Sequence, residues 1–285
     1  MQSGNEFKQL RKMQHITLKE AAAGICSIQM LSRWENNQGH MDFNRVLKLC
    51  EKLNLSATEY IALAKLDPQD HIAQILEESW SNHDKDYLEK LAQAALNKYQ
   101  LSQDPFDLDY AAIACSLYYK SSQRNIFPIA QQNELNRQLN KVTVWGHEFL
   151  SLFANIIPII SPRIIYQTAA QISSNISFIK KAGENTFHFG IAALFEAVIG
   201  LITRNQFKLA DQLLTRINQI DLPDNEMLLI VGRNFLNAIL TFHNTANDTA
   251  AISIIHFLTS MNMQTTATYF LKILNQVKNF NYRTC

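Results

Sequence analysis

"FANIIPIISPRIIYQTAAQISSNI", Phe153 to Ile176, decides how most of this 285-residue chain is read. Its apolar residues return downstream in register. Phe153, Leu194 and Phe235 are each 41 residues apart, and so are Ile157, Val198 and Ile239. One helix later the same step of 41 links Ala169, Ala210 and Ala251, then Ile172, Leu213 and Ile254, then Ile176, Ile217 and Leu258. A small residue followed by larger apolar ones on a second helix is what close stacking of helix pairs requires. A fixed period of about 40 residues with two helices per unit predicts a tetratricopeptide-like α-superhelix. Five triplets sharing one step argue against coincidence.

Working upstream, helices are expected at 128–141, 105–121, 84–100 and 68–81, the last opened by Asp67 as cap and Pro68 at the first helical position. The repeat domain is therefore expected to run from 67 to 285. Residues 1–66 read differently, as five short helices around one small core, because helices of this length do not stand alone. The first spans about Asn5 to Gln14, with Phe7 and Leu10 as its apolar stripe. "TLKE" (Thr17 to Glu20) and "SATE" (Ser56 to Glu59) are capping boxes that open the second and fifth helices. Ser27 caps the third and Asp42 the fourth, whose Val46, Leu49 and Leu53 face the core.

In the third helix, "SIQMLSRWENN", Leu31 and Trp34 form the inward face with Met30 beside them. Gln29, Ser32, Arg33 and Asn36 stand at i, i+3, i+4 and i+7 and project from the other side. Gln can make two hydrogen bonds to adenine and Arg two to guanine, so this face can read DNA or can simply be solvated. Its segment is the basic part of the chain: residues 1–66 hold nine Lys/Arg against six Asp/Glu, and the remainder seventeen against nineteen. That asymmetry favours an anionic partner for the N-terminal domain alone.

"LSRWENNQ" resembles the signature of the Xre/lambda-repressor-like helix-turn-helix family. The resemblance implies Gln29 and Arg33 as base readers, with Ser32 and Asn36 contacting backbone, and Glu35 as the acid that pairs with Arg11. Ile28 stands where a polar reader is usual and could touch a thymine methyl. Leu18 replaces a frequent phosphate-contacting Gln, which leaves Thr17, Lys19 and the cap residue Ser27 as neighbours of the phosphates. Asn37 replaces the usual helix-terminating Gly. Further on, "VWGHEFLSLFANIIPIIS" is similar to the Rgg/GadR/MutR regulators in Trp145, Glu148, Leu152, Phe153 and Asn155, and the likeness covers the whole chain in length and domain order. It implies a cytoplasmic, dimeric transcriptional regulator from a Gram-positive bacterium, often controlled by a short imported peptide.

The 41-residue step also aligns polar residues. Asn155, Glu196 and Asn237 share one position on successive first helices, and an amide there could pair with the main chain of a bound apolar signalling peptide. Arg163 and Arg204 are a second matched set, able to hold a carboxylate. The alternative is that these are ordinary exterior residues, the repeats binding a protein and the chain acting as a constitutive repressor. His147 and His188 also match, with no third repeating ligand for a metal.

Composition excludes other classes. At 47% hydrophobic, 18% charged and net charge +1, the chain can build a core and is not a nucleic-acid coat protein. The apolar run Ile156–Ile160 is broken by Pro158 and is too short to cross a bilayer. Cys26, Cys50, Cys115 and Cys285 form no CxxC pair and read as reduced thiols. No G-x-G-x-x-G, phosphate loop or H-E-x-x-H is present, so neither an enzyme nor a cofactor is expected. One small reading domain needs two half-sites, which predicts a homodimer on an inverted-repeat operator. The last helix, Gln264 to Phe280, with the stripe Phe270, Ile273, Leu274 and Val277, is the expected dimer surface.

Overall fold

In the computed structural model, residues 3–64, 66 and 84–283 are described, and every regular element among them is helical. The helix expected at 68–81, its caps Asp67 and Pro68, and Cys285 lie outside the described residues. Contacts divide the chain into Met1–Gln74 and Ile75–Cys285.

The first unit holds α1 (Ser3–Met13), α2 (Leu18–Ala22), α3 (Ile28–Glu35), α4 (Phe43–Lys52) and α5 (Ala57–Leu63). Local chemistry fixes their starts. Thr17 and Glu20 form the expected capping box, as do Ser56 and Glu59; Ser27 accepts the Met30 N–H and Asp42 that of Arg45. Asn37 takes the left-handed φ of 58° that ends α3. Phe7, Leu31, Trp34, Leu49, Leu53 and Tyr60 form the core, with the Phe7 and Trp34 rings 5.3 Å apart. Met30 is corrected: it is 38% exposed, on the outer side of α3.

In this core lies one ion pair. The Arg11 side chain is 6% exposed and that of Glu35 1%; Arg11 Nε and Nη2 donate to the two Glu35 oxygens at 2.7 Å each. Arg11 Nη1 also donates to the Ile16 carbonyl at 2.6 Å, which ties α1, α3 and the loop before α2 together. The Glu35 hydrogen bond holds the guanidinium pKa above its ordinary value against the opposing cost of burial.

The second unit continues with α6 (Lys85–Ser102), α7 (Pro105–Ser122), α8 (Ile129–Leu139), α9 (His147–Ile156), a 3₁₀ turn (Ile157–Ile159), α10 (Pro162–Ser174), α11 (Ile176–Lys181), α12 (Glu184–Ile202), α13 (Phe207–Asn218), α14 (Met227–Thr245), α15 (Thr249–Ser260) and α16 (Gln264–Arg283). First helices of successive pairs stack on one another, α7 on α9, α9 on α12, α12 on α14 and α14 on α16; second helices α10, α13 and α15 fill the other layer. The repeat triplets make this core: Phe153, Leu194, Phe235, Val198, Ile239, Ala169, Ala210 and Ala251 are all essentially inaccessible. Ile176 departs from its register mates, because it begins the extra helix α11 and is half-buried, whereas Ile217 and Leu258 are buried. The most apolar long helix, α12, is mostly buried within the array, as a core helix should be.

The expected dimer stripe is corrected. Phe270, Ile273, Leu274 and Val277 are at most 8% exposed within a single chain, and Phe270 stacks on Phe235 with ring centroids 3.9 Å apart. The stripe closes the last layer of the repeat core. Cys50 and Cys115 are buried, and loss of solvation pushes their thiols up to about 11 and about 12; Cys26 is half-buried.

Candidate DNA-reading helix and inner groove

On α3, Gln29, Arg33 and Asn36 are exposed and Ser32 is half-buried, so the four lie on one outward face with Ile28, 46% exposed, at its N-terminal end. Their commitments differ. The Asn36 amide donates to the Ser32 carbonyl while its oxygen accepts from Lys8 Nζ at 2.7 Å, so Asn36 holds a lysine of α1 at the end of the helix. Among the described residues Arg33 reaches only the Gln38 carbonyl, at 3.4 Å, a weak tether that leaves the guanidinium available. The Gln29 side chain has no partner among the described residues. The Thr17 and Ser27 hydroxyls serve as caps, and Thr17 spends its N–H on Glu20 as well. Lys19 is exposed.

In the repeat unit, Glu196 of α12 accepts from the Tyr269 hydroxyl of α16 at 3.1 Å to each oxygen, 73 residues away in sequence. It also feels the charge of Lys120 on α7, which is not close enough to close an ion pair. Side chains on first helices this many layers apart meet only across the inner side of a curved stack, since outer faces diverge. Gln276 of α16 donates to the Thr203 carbonyl across the same side, and the Ser116 hydroxyl of α7 donates to the Asn155 carbonyl.

Desolvation raises the Glu196 pKa above the ordinary carboxylate value, against the lowering effects of Tyr269 and Lys120. Desolvation lowers the Lys120 pKa although its surface remains accessible, as for a side chain on the wall of a groove. Loss of solvation also raises the Tyr269 phenol. A carboxyl group, an amine and a phenol are thus held with depleted hydration, and no ion pair joins them among the described residues.

The other aligned residues separate. Asn155 and Asn237 are both half-buried, and each donates its amide to the carbonyl four residues back, Ser151 and Arg233. Asn237 also exchanges two hydrogen bonds with Asn218 of α13, at 2.9 and 3.0 Å. Arg204 is committed to the scaffold: its guanidinium donates to Gly200, Ile157 and Pro158 carbonyls at 2.9, 2.7 and 2.7 Å, capping the 3₁₀ turn after α9. Burial lowers its pKa from the ordinary value. A Cβ on Gly200 would sit 2.4 Å from Ile157, so the glycine is what lets α12 approach that turn. Arg163 stands exposed on α10, in the other layer. The ring of His147 packs on Phe189 at 4.1 Å, and His188 pairs with Glu226 at 2.5 Å.

Against known families, residues 85–272 match the family described as "HTH-type transcriptional regulator Rgg, C-terminal domain", and residues 7–60 match a helix-turn-helix family. The chain belongs to the Rgg family. It is therefore an HTH-type transcriptional regulator. Its fold is that of solved structures at low identity. The Streptococcus dysgalactiae SHP pheromone receptor Rgg2 superposes with a TM-score of 0.75 at 12% identity, covering 96% of this chain and 99% of that one. A complex of PrgX with cCF10 gives 0.71 at 15%, covering 97% and 99%. A Listeria monocytogenes EGD-e protein, solved as a candidate transcriptional regulator, gives 0.74 at 14%, covering 99% and 98%.

Within this Rgg architecture the sequence reading missed Lys120 and Tyr269. Lys120 is the single basic residue of the eighteen-residue α7 and follows its long apolar run, a weak signal that a charge is being kept there for a purpose. Tyr269 gave none, because its register relative to Glu196 depends on how the last layer docks.

Proposed function

We propose that this Rgg-family protein reads an operator through α3 and that a short peptide bound in the inner groove controls that reading. The observation that carries the second half is the Lys120, Glu196 and Tyr269 cluster. A carboxylate whose folded-state pKa is raised is destabilising in its charged form. Its contribution to stability is present at low pH and is lost as pH rises from the unfolded value through the raised one. Ionised Glu196 is poorly solvated in this groove, and the amine or an N–H group of a peptide would relieve that cost. The Lys120 ammonium could take a carboxylate in the same way. Among the described residues nothing donates to the Asn155 side-chain oxygen, which could accept a main-chain N–H. Asn237 could join only by breaking its pair with Asn218. The receptor for SHP pheromone and the PrgX complex with cCF10 share this fold, which supports the same class of ligand.

Peptides selected from a short random library on the full-length protein test this reading. Glu196→Gln or Lys120→Met should weaken their binding about tenfold, about 1.4 kcal/mol. The peptide should also shift operator affinity, and binding that depends on Glu196 should weaken as pH falls toward that residue's raised pKa. Peptides that bind both variants as well as the parent chain would place the ligand elsewhere. A protein partner on the repeats of a constitutive repressor is the second reading; no selected peptide would then alter DNA binding.

On the DNA side, Gln29 and Arg33 read base edges, Ile28 touches a thymine methyl, and Lys8, Lys19, Ser32 and Asn36 serve the backbone. Arg33→Ala should cost roughly 1–3 kcal/mol on a selected operator and far less on random duplex. Equal losses on both would reduce Arg33 to a phosphate contact. A homodimer on an inverted repeat fits one α3 per half-site, within the cytoplasm, with residues 1–66 as the reading domain and 67–285 as the repeat domain. The exposed side of α16, around Leu271, replaces the buried stripe as its candidate contact.

A further inference from the structure

We propose that the outer layer of the repeat unit carries a second binding site, a trough between α8 and α10 that takes an extended polypeptide segment bearing a carboxylate. It shares no residue with the inner groove and does not depend on that reading.

The trough arises from a break in the stacking. Second helices α10 and α13 pack directly on each other, whereas α8 and α10 are not in comparable contact, and a cavity of about 680 Å³ lies between them. Two rows of side chains face it. Asn133, Asn136 and Asn140 come from α8 and its cap at i, i+3 and i+7; Arg163, Gln167 and Gln171 come from α10 at i, i+4 and i+8. Such spacings keep each row on one helix face. The Gln171 side-chain oxygen is buried with no hydrogen-bond partner, an acceptor that gains when a donor arrives. Arg163 is exposed, and among the described residues no ion pair holds it.

The chemistry selects the occupant. Each carboxamide offers a donor and an acceptor, the complement of a peptide main chain whatever its side chains. Seven to eight helical residues extend about 10–12 Å, which matches about three residues of extended chain. One guanidinium provides for one carboxylate, from a chain terminus or an acidic side chain. Nucleic acid would call for a basic stripe and stacking platforms, and this trough has one cation and one aromatic, Tyr166.

The probe is a library of short peptides, displayed with free C-terminal carboxylates and again as C-terminal amides, on the full-length protein. We expect a set of binders whose affinity drops at least tenfold with Arg163→Gln and several-fold with Asn136→Ala, and is unchanged by Lys120→Met. Loss on amidation would assign the carboxylate to the chain terminus; retention would assign it to an acidic side chain. The proposal is overturned if no binder depends on Arg163, or if every binder depends on Lys120 instead. It is equally overturned if Arg163 governs binding of random duplex DNA and of no peptide. Because Arg163 is exposed and unpaired, Arg163→Gln should fold, and unchanged hydrogen exchange in α8 and α10 verifies that.

Discussion

Arg11→Met should unfold the helix-turn-helix unit under conditions where the repeat unit stays folded, at a cost of about 3–5 kcal/mol. The substitution keeps much of the volume of the arginine stem but leaves Glu35, 1% exposed, without its two guanidinium donors. It also frees the Ile16 carbonyl that Nη1 satisfies. A small domain has about 5–15 kcal/mol in total, so this single loss removes much of its margin. The informative control is the double variant Arg11→Met with Glu35→Leu. Replacing a buried pair by apolar residues of similar volume is often neutral, so the double variant should recover most of the stability. Hydrogen exchange read separately over residues 3–64 and 84–283 makes the measurement. Protection should collapse in the first range only, and operator binding should vanish with it. If Arg11→Met alone keeps full protection, water reaches Glu35 and the pair is not part of the core.

That pair shows what the sequence carried and how. Arg11 and Glu35 are 24 residues apart, and no periodicity joins them; the resemblance of "LSRWENNQ" to a known helix-turn-helix suggested them, and the structure has them at 2.7 Å. Caps were legible without any relative, because Thr17, Ser27, Asp42 and Ser56 act on N–H groups within three residues of themselves. The repeat was legible because each pair of helices must bury the same face against its neighbours, which writes a period into the chain. Three things were not. An apolar stripe such as Phe270 to Val277 looks the same whether it meets its own chain or a second copy. Arg204 looked like a carboxylate anchor because its partners are main-chain carbonyls of a 3₁₀ turn, which no side-chain pattern announces. Tyr269 meets Glu196 only through the curvature of the whole array, a quantity set by many small packing choices rather than by any local motif.

Gly4→Ala should likewise destabilise the helix-turn-helix unit, by about 3 kcal/mol or more, where propensity alone would predict the opposite sign. In an exposed helix the change would gain about 1 kcal/mol, since alanine loses less backbone freedom. Here α1 crosses α3 at backbone contact. A Cβ on residue 4 would stand 2.0 Å from the Trp34 carbonyl oxygen, 2.6 Å from its carbon and 3.2 Å from the Glu35 nitrogen. These are main-chain atoms of a helix and have no rotamer to escape into, so α1 itself must move away. Overpacking of a core typically costs 1–3 kcal/mol even when side chains can yield. Moving α1 also pulls Phe7 from Trp34 and Arg11 from Glu35, so the clash spreads into the contacts that hold the DNA-reading helix. Gly39→Ala is the matched control, because a Cβ there meets only the Arg33 Cβ at an ordinary 3.7 Å. Gly4→Ala should lower protection throughout residues 3–64 and abolish operator binding, while Gly39→Ala leaves protection intact. Equal behaviour of the two variants would mean that α1 and α3 have room between them, and the close crossing would be wrong.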